Sequence, residues 1–283
     1  MGRARATRIV IDTIHFVSIR AGVGADHDSP MIDMLPIRQI LLAASVVLLA
    51  SCSSDSSTGG NSGTARVIFV HAITDTGNVD VRVATKLTVP FTAVPYGGGT
   101  DYQSVSSGTL SFTVQASPST GSDTPIPLSN LSGIVAANGA ALTIVAAGQV
   151  KDTANARAVG TTAYIDDISI PASGQARLRI INASSDAGAV DVYATAVNAV
   201  QSVTPTFAGV DFRSAVTRTI PSGSYTLTIT PLSNPATVLA QAGVTLPSST
   251  AQTVIVRGIA GTLPPATPAS RRITTTVTTN VAP

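Results

Sequence analysis

From Ala65 onward, short apolar runs alternate with clusters of Gly, Pro, Asn and Ser. Arg66 to His71 is an apolar run of strand length, and Val79 to Val83 alternates apolar and polar side chains, the pattern of a strand half-buried in a sheet. The same reading places further strands at Thr88 to Val94, Asp101 to Val105, Thr109 to Ala116, Ile126 to Val135, Ala141 to Ala147 and Gly160 to Ile168. Beyond Cys52 no stretch keeps a helical period for more than about two turns, so little helix is expected.

The pattern then repeats. Ala65 to Val81 reads ARVIFVHAITDTGNVDV and Ala176 to Val192 reads ARLRIINASSDAGAVDV, with 8 of 17 positions identical at an offset of 111 residues. Asp101-Tyr102-Gln103-Ser104 returns as Asp211-Phe212-Arg213-Ser214, and Thr143-Ile144-Val145 returns as Thr253-Val254-Ile255. So long a period means two copies of a whole domain, because solenoid units run about 20 to 50 residues. Arg272 to Val277 supplies the last strand, after an extended Leu263 to Pro268 loop matching Lys151 to Ala156. Seven or eight strands per copy predict an all-β chain of two tandem antiparallel β-sandwich domains, Ig-like or transthyretin-like, after an N-terminal signal helix. Repeat 1 is expected over residues 65–170 and repeat 2 over 175–283, with a linker near Pro171 to Gly174.

Composition agrees. Of 283 residues 44% are hydrophobic, 11% charged and 4% aromatic, and Glu and Trp are absent. Such a chain has enough apolar side chains to fold. The net charge of +2 comes without clustered Lys and Arg, which excludes a nucleic-acid partner as the leading expectation.

Ahead of the repeats, Met34 to Cys52 reads MLPIRQILLAASVVLLASC, a positive charge at Arg38 followed by the apolar run Ile40 to Ala50. That is the layout of an export signal. Eleven residues span about 16 Å as a helix, roughly half of a bilayer's hydrocarbon core, too short for a permanent span. Residues 34–51 are therefore expected to be a signal peptide. Residues 1–33 carry His15, Asp26, His27, Asp28 and Asp33 ahead of the apolar run and are read as a mis-assigned start or a disordered extension, with Met31 or Met34 as the true start. Residues 52–64 begin with the lone cysteine and continue as SSDSSTGGNSGT, a flexible tether with a root-mean-square reach of about 20 Å.

Leu49-Ala50-Ser51-Cys52 resembles the lipobox of bacterial lipoproteins. The resemblance implies that the Cys52 sulfur carries a diacylglycerol, that Cys52 becomes the first residue of the mature protein, and that the chain is anchored to the cell envelope. Because Ser53 follows the cysteine, it also implies the outer membrane where the bacterium has one. The pattern V-H-A-x-x-D-x-x-x-V-D-V (Val70 to Val81), followed by Asp101-Tyr102 and Ser107-Gly108-Thr109, resembles an uncharacterised bacterial domain family, often in tandem, found in exported proteins and lipoproteins. It implies an envelope β-domain with no assigned reaction.

Candidate chemistry is sparse. His71 is the only histidine beyond Cys52 and has Asn182 as its counterpart, which can share its hydrogen bonds but not its proton transfer, so a structural role is expected. Asp75, Asp80 and Asp101 return as Asp186, Asp191 and Asp211. Three such carboxylates suit calcium, yet aspartate is also the usual side chain for fixing a turn, and that is the expectation. No nucleophile elbow, phosphate loop or dinucleotide fingerprint occurs. No catalytic residue, metal or cofactor is expected, and Cys52 as a lipidation site is the one site residue. The expected function is a lipid-anchored, non-catalytic envelope protein that meets a protein or polysaccharide partner; the alternative is an exported hydrolase using the repeated aspartates.

Overall fold

The computed structural model describes residues 63–83, 91–117, 127–152, 157–260 and 273–280, which form sixteen strands and no helix. Cys52, the signal segment, the tether up to residue 62, the Leu263 to Pro268 loop and Arg271-Arg272 lie outside the described residues. Repeat 1 contributes β1 (Thr64–Ile73), β2 (Val79–Val83), β3 (Phe91–Val94), β4 (Gln103–Ser106), β5 (Gly108–Ala116), β6 (Pro127–Ala136), β7 (Ala141–Gly148) and β8 (Gly160–Ile165). Repeat 2 contributes β9 (Gln175–Ser184), β10 (Val190–Ala196), β11 (Phe207–Val210), β12 (Ala215–Pro221), β13 (Gly223–Pro231), β14 (Ala240–Leu246), β15 (Thr250–Gly258) and β16 (Thr274–Asn280).

Each repeat folds into two four-stranded sheets. In repeat 1 the orders are β4-β1-β7-β8 and β3-β2-β5-β6; in repeat 2 they are β12-β9-β15-β16 and β11-β10-β13-β14, the same connectivity. Alternation in β2 sends Val79, Val81 and Val83 inward while Arg82 stays exposed. They meet Phe69, Leu110, Phe112 and Leu142 in one core. Leu178, Ile180, Phe207, Leu227 and Ile229 build the equivalent core of repeat 2. Each such side chain contributes about 1.5–3 kcal/mol when fully buried.

The apolar runs that do not alternate have a different explanation. In β1, Val67, Phe69 and Ile73 enter the core of repeat 1, whereas Ile68, Val70 and Ala72 point the other way. There they join Val145 and Ala147 of β7 and Ile181, Ala183 and Ile255 of repeat 2 in a third apolar layer. The β4-β1-β7-β8 and β12-β9-β15-β16 sheets are thus buried on both faces, which demands continuous apolar runs in their central strands. The described residues of the two repeats consequently belong to one compact unit.

One feature departs from a purely antiparallel sandwich. β1 pairs with β7 in parallel from Arg66↔Ala141 to Ile73↔Gly148, and β9 pairs with β15 likewise, while the other pairs are antiparallel. The chain leaves β6 beside the start of β1, where the Gly139 amide donates to Thr64 O and the Arg66 amide to Ala140 O at 2.8 Å each. β7 therefore enters at the same end as β1 and runs in the same direction.

Candidate functional site

The repeated aspartates come from turns and bulges, and the structure places them apart rather than together. Asp75 accepts from the amides of Val150 (2.6 Å) and Lys151 (2.9 Å), and its counterpart Asp186 accepts from the Ala260 amide at 2.8 Å. Each carboxylate thus ties the turn after the first strand of its repeat to the segment after the seventh. Asp80 accepts from the Ala93 amide at 2.7 Å, and Asp191 from the amides of Gly209 and Ser233 at 2.8 Å each. Both sit where the second and third strands shift register. Asp101 and Asp211 are exposed. Among the described residues no three His, Cys, Asp or Glu side chains gather as a metal site.

That bulge yields a prediction. Ala93 has φ 50° where repeat 2 has Gly209 at φ 59°. A side chain in this region costs about 1–2 kcal/mol, partly offset by the greater freedom of an unfolded glycine. Ala93→Gly is expected to stabilise the protein by roughly 0.5–1 kcal/mol, read as a higher urea midpoint.

His71 is fully buried. Its Nε2 donates to Gly77 O at 2.9 Å and its Nδ1 accepts from the Ile73 amide at 3.2 Å, an arrangement that fixes the neutral ring with the proton on Nε2. Asn182 reproduces it atom for atom: Nδ2 donates to Gly188 O at 2.8 Å and Oδ1 accepts from the Ser184 amide at 3.0 Å. Asn182 Nδ2 also donates to Val210 O at 2.9 Å. Imidazole and carboxamide perform one task, closing the turn between the first two strands of each repeat.

Sequence reasoning did not single out the densest polar cluster, which lies between the repeats. Arg179 of β9 donates through Nη2 to Asp166 Oδ1 at 2.6 Å and to Thr143 Oγ1 at 2.9 Å, and through Nε to Thr253 Oγ1 at 3.0 Å. Thr143 donates in turn to Asp166 at 2.8 Å, and the Tyr102 hydroxyl donates to Asp166 Oδ2 at 2.7 Å. Asp166 is 5% exposed and Arg179 8%, so the pair is desolvated. Its only legible signal was a charge where the first copy is apolar: 111 residues earlier, the equivalent position is Ile68. Tyr102 likewise has Phe212 as its counterpart, which lacks the hydroxyl that reaches the acid.

A cleft of about 210 Å³ opens over this cluster, lined among others by Tyr164, Asp167, Arg177, Thr217 and Gln252. At its rim Arg177 meets Asp167 at 3.1 Å, and the hydroxyl and amide of Ser169 hold Asp167 below the usual carboxylate range. His71 is not among the residues lining the cleft. Asp166 and Arg179 beneath it are engaged by each other and by Thr143, Thr253 and Tyr102. What the arrangement does is bind one repeat to the other.

Tyr164 strengthens the joint. Its hydroxyl donates to Arg213 O at 2.9 Å, and burial pushes its pKa up from 10.0 to about 12. The folded state therefore keeps a proton that the unfolded state releases between those values, so stability falls as pH rises from 10 toward 12. The loss approaches about 3 kcal/mol at the upper end, and Tyr164→Phe is expected to flatten this part of a stability-against-pH curve.

Fold and site together define a double β-sandwich with a buried ion pair between its two repeats. The model of the DUF4397 family, described as a domain of unknown function, matches residues 55–193. The match thus covers repeat 1, the first strand of repeat 2 and the start of the second. No curated protein matches the chain. Among solved structures the chain is similar to the Bacillus anthracis TIE protein, at 10% identity and a TM-score of 0.22, over 70% of this chain and 33% of that one. The chain spans about a third of that protein's length.

Proposed function

We propose that the protein is a lipid-anchored, non-catalytic component of a bacterial cell envelope, held through Cys52 and presenting two copies of one domain for binding or structural roles. Residues 175–283 are the second copy, and an envelope protein or surface polysaccharide is the partner. The observation that carries this reading is the state of most of the groups that could have done chemistry: the carboxylates of Asp75, Asp80, Asp186 and Asp191, four of the six repeated aspartates, accept backbone amides, and both ring nitrogens of His71 are engaged. A hydrolase needs a carboxylate or imidazole free to move a proton, and these hold turns instead. The export-signal layout and the lipobox-like Leu49-Ala50-Ser51-Cys52 support the anchor, with the outer membrane as the destination in a two-membrane organism.

The test is fractionation of cells carrying the intact protein and Cys52→Ser. The intact protein should stay with membranes and release a diacylglycerol-modified N-terminal cysteine, and Cys52→Ser should leave the membrane fraction. A soluble intact protein with an unmodified Cys52 would overturn the anchor.

A further inference from the structure

We infer that the end of the double sandwich from which the chain leaves toward Cys52 rests against a lipid surface, with Val197, Val200 and Val203 entering the headgroup region. The inference rests on the anchor proposed above and adds an orientation and a second contact to it.

Backbone hydrogen bonds establish which loops share that end. The first described residue, Gly63, accepts from the Ser107 amide, and the Gly139 amide donates to Thr64, so the turns before β5 and β7 flank the exit point. Repeat 2 points the same way, because Arg177, near the start of β9, donates to the carbonyls of Asp167 and Ser169, while the Asp166 amide donates to Ala141 at the start of β7. The loop between β10 and β11 lies there too. Ala196 pairs with Tyr225, the Val197 amide donates to Ser224 O, and the Ser222 amide donates to Gly174 O just ahead of β9.

Among the described residues six of the nine strongly exposed large apolar side chains lie at this end, whereas Leu232 and Val238 lie at the other. Val200 and Val203 are 94% and 96% exposed, and Val197 is 59% exposed. Val135, Ile165 and Ile170, also strongly exposed, sit at the ends of β6 and β8 and ahead of β9, on the same side. Exposed apolar side chains gathered at one place mark an interaction surface. The turns there, residues 106–108, 137–139, 171–174, 197–206, 221–223 and 247–249, contain no Asp, Lys or Arg, and the exposed acid of the β8–β9 connection, Asp167, is paired with Arg177 at 3.1 Å. Asp75, Lys151, Asp152, Arg157, Asp186 and Asp211 lie toward the other end, in the turns after the first and seventh strands of the repeats and before β12.

Geometry selects lipid as the occupant. Ten residues separate Cys52 from Gly63 and span at most about 35 Å fully extended, with a root-mean-square length of about 17–19 Å as a Gly- and Ser-rich chain. An acylated Cys52 therefore holds this end, and not the opposite one, beside the bilayer. The loop carrying the valines approaches the interface without desolvating an ion, the Asp167–Arg177 pair at this end is mutually neutralised, and the valines gain by leaving water.

Single cysteines at Val200 and, at the opposite end, at Val238 test the orientation in the full-length acylated protein, reconstituted into phosphatidylethanolamine–phosphatidylglycerol vesicles with brominated acyl chains. Acylation blocks Cys52, so a polarity-sensitive thiol dye reports one position; circular dichroism checks folding, and Val203→Cys repeats the measurement. The dye at Val200→Cys should be blue-shifted and quenched several-fold more than at Val238→Cys. Equal, weak quenching at both would overturn the orientation while leaving the anchor intact, as would a blue shift without lipid quenching, which would mean a second copy covers the patch. Thiol labelling of the unsubstituted protein at Cys52 would remove the anchor, and the orientation with it.

Discussion

Arg179→Ala is expected to lower the unfolding free energy by about 3–5 kcal/mol, because it leaves the buried Asp166 carboxylate with no opposing charge. Asp166→Ala should cost a similar amount by stranding the guanidinium. The whole network is engaged across the repeat boundary: Asp166, Thr143 and Tyr102 belong to repeat 1, and Arg179 and Thr253 to repeat 2. Its loss should therefore loosen the two sandwiches from each other as well as lower the midpoint. Repeat 1 places Ile68 where repeat 2 places Arg179, so an apolar side chain is compatible with the equivalent inner-sheet position. Arg179→Ile combined with Asp166→Leu should recover most of the loss, since a desolvated pair replaced by apolar residues of similar volume is often neutral. Urea unfolding of the two single variants and the double variant checks this. Additive losses would mean that the pair is not coupled.

His71→Ala is expected to destabilise by roughly 2–4 kcal/mol, and His71→Asn by much less. Alanine leaves the Ile73 amide and the Gly77 carbonyl without their ring partners in a fully buried setting and opens a void beside Tyr96, whose ring packs edge-on at 5.9 Å. Asparagine is the side chain that repeat 2 uses for the same bonds, through Asn182 to Ser184 and Gly188. A catalytic histidine would behave differently, with His71→Asn stable yet functionally dead. Thermal melts of both variants separate the roles, and equal losses would deny the equivalence of ring and carboxamide.

The outline of the fold was legible because period-two alternation and turn residues report local conformation directly. Val79 to Val83 was read to the residue. His71 was legible as structural because its counterpart Asn182 can share its hydrogen bonds but not its proton transfer, and Asp75 because it sits in a Gly-containing turn of the kind aspartate fixes. What stayed hidden depends on contacts between the copies. The unbroken apolar run of β1 was visible, but an apolar run cannot state that its second face packs on another repeat. Arg179 and Asp166 are 13 residues apart, yet they lie in different sandwiches and break the repeat symmetry, so comparison of the copies discards them as differences. The parallel pairing of β1 with β7 was hidden for a related reason, since strand direction follows from where the connection after β6 returns.

The layer formed by Ile68, Val70, Ile181 and Ile255, together with the ion pair beside it, makes the two repeats one cooperative body. Scanning calorimetry of the full-length protein tests this directly. One transition, with equal calorimetric and van't Hoff enthalpies, is predicted; two resolved transitions, one per repeat, would contradict it.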